Sequence, residues 1–230
     1  MNYITLNGIS SNTITGLLIS ELPPISKPLM RTQIDLIDGR DGDIVTNLGY
    51  SAYDKVMKIG LRGSYDINSV ISFFASEGNV TFSNETDKYY RYQIISQIDF
   101  ERLVRFRTAE VTFHCQPYKY STTENARSLS SGNNTVTNSG NVISKPTLTI
   151  NGSNTITVSL NGQQIFTITL GTNDSITINA ETMEAYKGGI LRNRAVVGDY
   201  SALALNVGSN TLRLQGTGVS GEITNYSRWL

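Results

Sequence analysis

The chain has 230 residues, with nineteen Lys+Arg against nineteen Asp+Glu, one His and one Cys. Zero formal net charge removes the basic surplus of a general nucleic-acid binder, though it leaves local patches open. One cysteine rules out an intramolecular disulfide, and with a single histidine it cannot build a zinc site unless carboxylates or another chain help. The length suffices for one large domain or two modest ones with a substantial core.

The opening, "MNYITLNGISSN", lacks the basic and apolar regions of a signal peptide, and none is expected. No apolar run approaches the ~18 residues of a membrane span. Ile4 and Leu6 alternate with polar residues as a first strand. Residues 17–30, "LLISELPPISKPLM", hold three prolines and predict an extended, irregular passage. Ile34 and Leu36 share one face of "TQIDLID", and "DGRDGD" (38–43) follows as a tight turn with Gly39 and Gly42 at positive φ. That turn lacks EF-hand spacing, and Gly49 stands where a bidentate Glu is needed. Met57, Ile59 and Leu61 mark the next strand.

In "DINSVISFFASEG", Ile67, Val70, Ile71 and Phe74 recur at helical spacing, with Asp66 as N-cap and Gly78 beyond the end. Val80 and Phe82 return to period two. Tyr92, Ile94, Ile98 and Phe100 line one side of "YRYQIISQIDF", which predicts a long strand. Val104 and Phe106 fall on even positions, whereas Val111, Phe113 and Cys115 fall on odd ones. One regular strand cannot bury both sets, so a bulge or turn is expected between Arg107 and Glu110.

Residues 121–141 are polar and almost without large apolar side chains, and predict a linker. Nine of twelve tyrosines precede it. Beyond it, Ile156, Val158 and Leu160 alternate, Asn161-Gly162 turns, and Phe166, Ile168 and Leu170 alternate back, a strong hairpin signal because a type I′ turn needs two positive φ angles. A short helix is expected over 179–189, "NAETMEAYKGG". The chain thus divides into residues 1–125, a linker at 126–140 and an antiparallel sandwich at 141–230.

Chemistry is sparse. His114 and Cys115 adjoin, but successive strand side chains point to opposite faces. Cys115 is expected in the core with Phe113 and His114 outside, so the two cannot act as nucleophile and base. No GxGxxG, Walker, GxSxG or HExxH motif occurs. Glu181 and Glu184 form a carboxylate pair of the kind any acidic surface offers. The N-x-[ST] sequons, among them those at Asn84, Asn133, Asn151, Asn173 and Asn225, are expected by chance in an Asn/Ser/Thr-rich chain. No catalytic residue, metal ligand or cofactor site is assigned, and no enzyme is expected. For sugar stacking the second half offers only Phe166, Tyr186, Tyr200, Tyr226 and Trp229.

The order of "ITLNGIS", "IDLIDGRDGDI", "SVISFFASEGNVTFSNETDKYYRYQII" and the closing "VTFHCQPYKYS" resembles the distal tail protein (Dit) family of long-tailed, siphophage-type bacteriophages. In that family the last strand ends in a Pro-aromatic pair, then an aromatic and a small polar residue, here Pro117-Tyr118 and Tyr120-Ser121. "NSGNVISKPTLTINGS", "INAETMEAY" and "GSNTLRL" match the second half more loosely. The resemblance implies a mainly β protein: an N-terminal antiparallel β domain with one short helix, then a C-terminal galectin-like β-sandwich. It implies a virion protein of the tail tip, assembled in the bacterial host cytoplasm. The N-terminal domains would form a homo-hexameric ring between the major tail tube protein and the tail-associated lysin or fibre hub. A receptor-binding protein is a further implied partner, and DNA would pass through the channel without specific binding. We expect a neutral or acidic channel lining. A glycan-binding adhesion module is the alternative, weakened because the chain has no room for an added carbohydrate-binding domain.

Overall fold

The structure, a computed structural model, describes all 230 residues. It is mainly β and divides into two compact units, Met1–Thr122 and Thr123–Trp229. In the first unit β1 (Ile4–Leu6), β2 (Ile9–Ser10), β3 (Leu17–Glu21), β4 (Met30–Asp35), β5 (Ile44–Tyr50) and β6 (Tyr53–Leu61) precede α1 (Ile67–Phe73). Strands β7 (Glu77–Phe82) and β8 (Lys88–Gln93), helix α2 (Phe100–Phe106) and strand β9 (Thr108–Ser121) complete it. Seven strands of this unit pair antiparallel in the order β2-β1-β7-β8-β9-β6-β3, and β4 and β5 pair only with each other.

The main sheet buries one face by strict alternation. Ile4, Leu6, Met57, Ile59, Val80, Phe82, Val111, Phe113 and Cys115 all lie inward. Each apolar side chain so buried is worth roughly 1.5–3 kcal/mol of transfer free energy. Phe113 sits edge-on to both Phe82, at 5.8 Å, and Tyr92, at 5.0 Å. Helix α1 forms where the spacing predicts it. Asp66 accepts from the amides of Asn68 and Ser69, and Val70 and Phe73 face the core. Ile71, expected on the same stripe, is 43% exposed.

Three expectations for this half need correction. Residues 17–21 are a strand paired to β6, with one register shift between Ile19 and Glu21, and the stretch from Leu22 to Leu29 has no regular structure. The long strand through Phe100 does not exist: β8 stops at Gln93, and α2 opens on Asp99, which caps the amide of Arg102. The first half therefore has two helices rather than one, and Leu103 is the buried side chain that fixes the second. The parity change before β9 is real, and its cause is this helix, which ends with Arg107 at φ 58° before the strand begins at Thr108.

The second unit comprises β10 (Arg127–Leu129), β11 (Gly132–Asn138), β12 (Thr147–Leu160), β13 (Gln163–Asn179), β14 (Glu184–Lys187), β15 (Ile190–Leu191), β16 (Val196–Gly198) and β17 (Gly208–Thr224). Strands β12, β13 and β17 are long enough to serve two layers. Their pairing slips at Gly152–Asn154 in β12 and between Ser153 and Thr157 opposite Gln215–Thr217 of β17. Such interruptions let a strand pass from one layer to the other at a corner. One layer takes β10, β14 and β15 as outer strands and the other takes β11 and β16. Leu148, Ile150, Ile156, Val158, Phe166, Ile168, Leu212 and Leu214 from both layers share one core.

The Asn161-Gly162 hairpin is present, with φ 51° and 87°. Residues 126–140 are not a linker: they contain β10 and β11, both paired to β17. Their buried residues are few, Leu129, Val136, Gly140 and the polar Asn138, whose amide donates to the carbonyls of Val142 and Leu205. The helix expected over 179–189 is a turn followed by β14 and the Gly188-Gly189 turn into β15.

Candidate assembly surface

The sequence places its only His–Cys pair on β9, and the strand separates them as alternation requires. Cys115 is fully buried, and desolvation pushes its thiol up to about 12. His114 lies on the outer face, its Nδ1 2.7 Å from Oδ1 of Asp54, the residue opposite it on β6. This pairing was not legible, because Asp54 is sixty residues away in sequence. No hydroxyl or thiol is bonded to the imidazole, so the arrangement is an acid–imidazole pair without a nucleophile, part of a polar outer sheet face.

Glu181 lies on an exposed turn, its amide held by Asn179, and Glu184 opens β14 in register with Asn179. In the second unit the densest charge cluster is Asp174, which accepts from Lys187 at 2.5 Å and Arg192 at 2.7 Å. These two donors hold its carboxyl well below the usual range. They tie β14 and the segment after β15 back to β13. The aromatic side chains available for sugar stacking are not presented: Phe166 is in the core with Tyr200 packed against it, and Tyr186, Tyr226 and Trp229 are half-buried.

The feature whose apolar side chains the fold leaves uncovered is the β4–β5 hairpin. Ile34 faces Val45 across the pair, yet these residues are 58% and 56% exposed. Met30, Leu36, Ile37 and Leu48 are exposed with them. The turn at 38–43 forms as predicted, with Gly39 at φ 81° and Gly42 at φ 78°. Charged Arg31, Asp35, Asp38, Arg40, Asp41 and Asp43 edge the apolar residues. An isolated two-stranded hairpin is marginal in water. So many exposed apolar residues on one hairpin are the composition of a contact site rather than of a solvated loop.

No family model matches the chain, and no curated protein matches it. Among solved structures it is similar to the SPP1 Dit (gp 19.1) protein, described as a paradigm of the hub adsorption apparatus in Gram-positive-infecting phages. The TM-score is 0.70 at 15% identity, with 100% of each chain covered. The phage P2 baseplate in its activated, calcium-bound conformation matches with a TM-score of 0.46 at 11% identity over 98% of each chain. The chain therefore has the fold of the SPP1 Dit protein over its whole length.

Proposed function

We propose that this chain is a non-enzymatic structural protein of the tail tip of a phage or phage-like particle. Six copies form a ring through the first unit. The ring joins the tail tube to the lysin or fibre hub, with a channel for DNA, and a receptor-binding protein is a further partner. The observation that carries the reading is the β4–β5 hairpin, which leaves the main sheet and exposes Ile34, Leu36, Val45 and Leu48. A ring needs a head-to-tail contact between two different surfaces of the same chain. A projecting apolar arm supplies one of them without consuming the face that holds the unit's own core. The whole-chain likeness to the SPP1 Dit protein supports the same reading.

Native mass spectrometry and negative-stain imaging test it, on the protein alone and with tube and hub partners. The expected result is a six-copy ring. The variant I34S/V45S/L48S should keep the far-UV spectrum of the parent and fail to assemble. A protein that never forms rings with its tail partners, and binds glycan as a monomer, overturns the proposal in favour of an adhesion module. The half-buried aromatics of the second unit count against that outcome.

A further inference from the structure

The hairpin leaves the first unit through "LPPISKPL", residues 22–29. Proline has no amide proton, so Pro23, Pro24 and Pro28 cannot donate to a ladder. Side chains hold this stretch instead. The Lys55 ammonium donates to the carbonyl of Pro24 at 2.9 Å, and Asn84 Nδ2 donates to the carbonyl of Pro23 at 3.1 Å. Tyr53 reaches the carbonyl of Ser26 at 3.5 Å. The neck is closed by the Ser51 amide donating to Leu29 at 2.9 Å, and the returning limb sets Tyr50 edge-on to Tyr118, 6.2 Å between centroids.

Lys55 is the unexpected member. It is 3% exposed, on the β6 strand that the returning limb becomes, and its ammonium lies 4.7 Å from the Tyr90 ring and 5.3 Å from that of Tyr53. The Pro24 carbonyl is its only hydrogen-bond partner in the protein. Burying an ammonium is expensive, and an apolar side chain of similar volume would suit an aromatic pocket at least as well. The ring faces of Tyr90, Tyr53 and Phe82 and the Glu85 carboxylate offset part of that cost, and what the charge adds toward the departing limb is a directional bond to one carbonyl.

We infer that Lys55, with Asn84, is a positioning anchor that fixes the direction in which the hairpin leaves the first unit. The arm is thereby presented to a neighbouring copy in one orientation. Its role in assembly rests on the ring reading above; its effect on the arm does not. A rigid exit lowers the ordering cost of docking a projecting segment.

The test is a distance distribution between spin labels at Asp41→Cys, on the hairpin turn, and Glu101→Cys, on α2, in labelled protein diluted with unlabelled. Buried Cys115 stays unlabelled. The parent should give one narrow distribution. Lys55→Met, which keeps the stem packing, and Asn84→Ala, which removes the second tie, should each widen it about twofold with the far-UV spectrum unchanged. They should also raise the concentration for half-assembly about tenfold. An unchanged distribution in both folded variants overturns the anchor. A widened one with parental assembly overturns its role in assembly. If the parent forms no ring with any tail partner, the proposed function fails, while the distance measurement still decides the anchor.

Discussion

At the level of single residues, the chemistry that adjacency suggests for His114 and Cys115 is undone by the strand that carries them. Burial, which raises the Cys115 thiol to about 12, also removes the thiolate that any nucleophile requires. Reaction of Cys115 with a disulfide reagent at pH 8 should therefore be about a hundredfold slower in the native protein than in denaturant. A native rate near the denatured one would contradict this placement. Alternation made the burial of Cys115 readable beforehand, and the capping role of Asp66 was equally plain from spacing. Partners far apart in sequence were not readable. Asp54 on His114, and Glu85 bound by Lys119 at 2.8 Å and by Tyr90 at 2.8 Å, depend on which strands become neighbours. Lys55 is the clearest case: its parity with Met57, Ile59 and Leu61 points it inward, but the carbonyl of Pro24 that receives its ammonium lies thirty-one residues away and was not readable.

At the level of elements, local pattern succeeded where one face is buried and failed where the pattern is ambiguous or where burial is done by small polar residues. Ile94, Ile98 and Phe100 fit period two by coincidence, and the capped turn at Asp99 decided for helix. Residues 126–140 looked like a linker because their inward positions include Asn138 rather than a large apolar residue. Ile34 and Leu36 show the converse, since the two apolar residues whose spacing puts them on one face are both exposed in this chain. Close strand approach was equally hidden. A Cβ at Gly221 would lie 2.5 Å from the carbonyl oxygen of Thr149 on β12, a backbone atom that cannot swing aside. Gly221→Ala should destabilise the protein by about 1–3 kcal/mol, through separation of β12 from β17. Denaturant unfolding measures this, and a loss within experimental error would show that the two strands can part without cost.

Across the whole molecule, the two units differ in what they bury. The first holds Tyr53, Tyr90, Tyr92 and Cys115, all with pKa raised chiefly by desolvation, Tyr53 and Tyr92 to about 12. In the second, only Tyr200 is raised. A group with a raised folded pKa keeps its proton when folded and releases it when unfolded. Its stabilising contribution is full below the unfolded value and is lost as pH climbs through the folded one. Lys55, lowered by burial, acts in the opposite sense below 10.5, but it is one group against four. The first unit should therefore open first between pH 10 and 12. Proteolysis of the full chain across that range should release peptides from 1–122 before those from 123–229. Simultaneous cleavage of both, or earlier cleavage of the second, would contradict the assignment.

The pairing of β10 with β17 sets Arg127 opposite Ile223 and Leu129 opposite Gly221, so the strand that begins the second unit lies beside the end of its last long strand. Tension between residues 123 and 229 would load those rungs one at a time rather than all at once. Strand β10 can peel away while β12 still grips the far side of β17. Under a pull the ties of Glu124 to Ser227, and of Asn225 and Arg228 to residues 137–144, part first, and the second unit then yields like a zip at a three-residue tab.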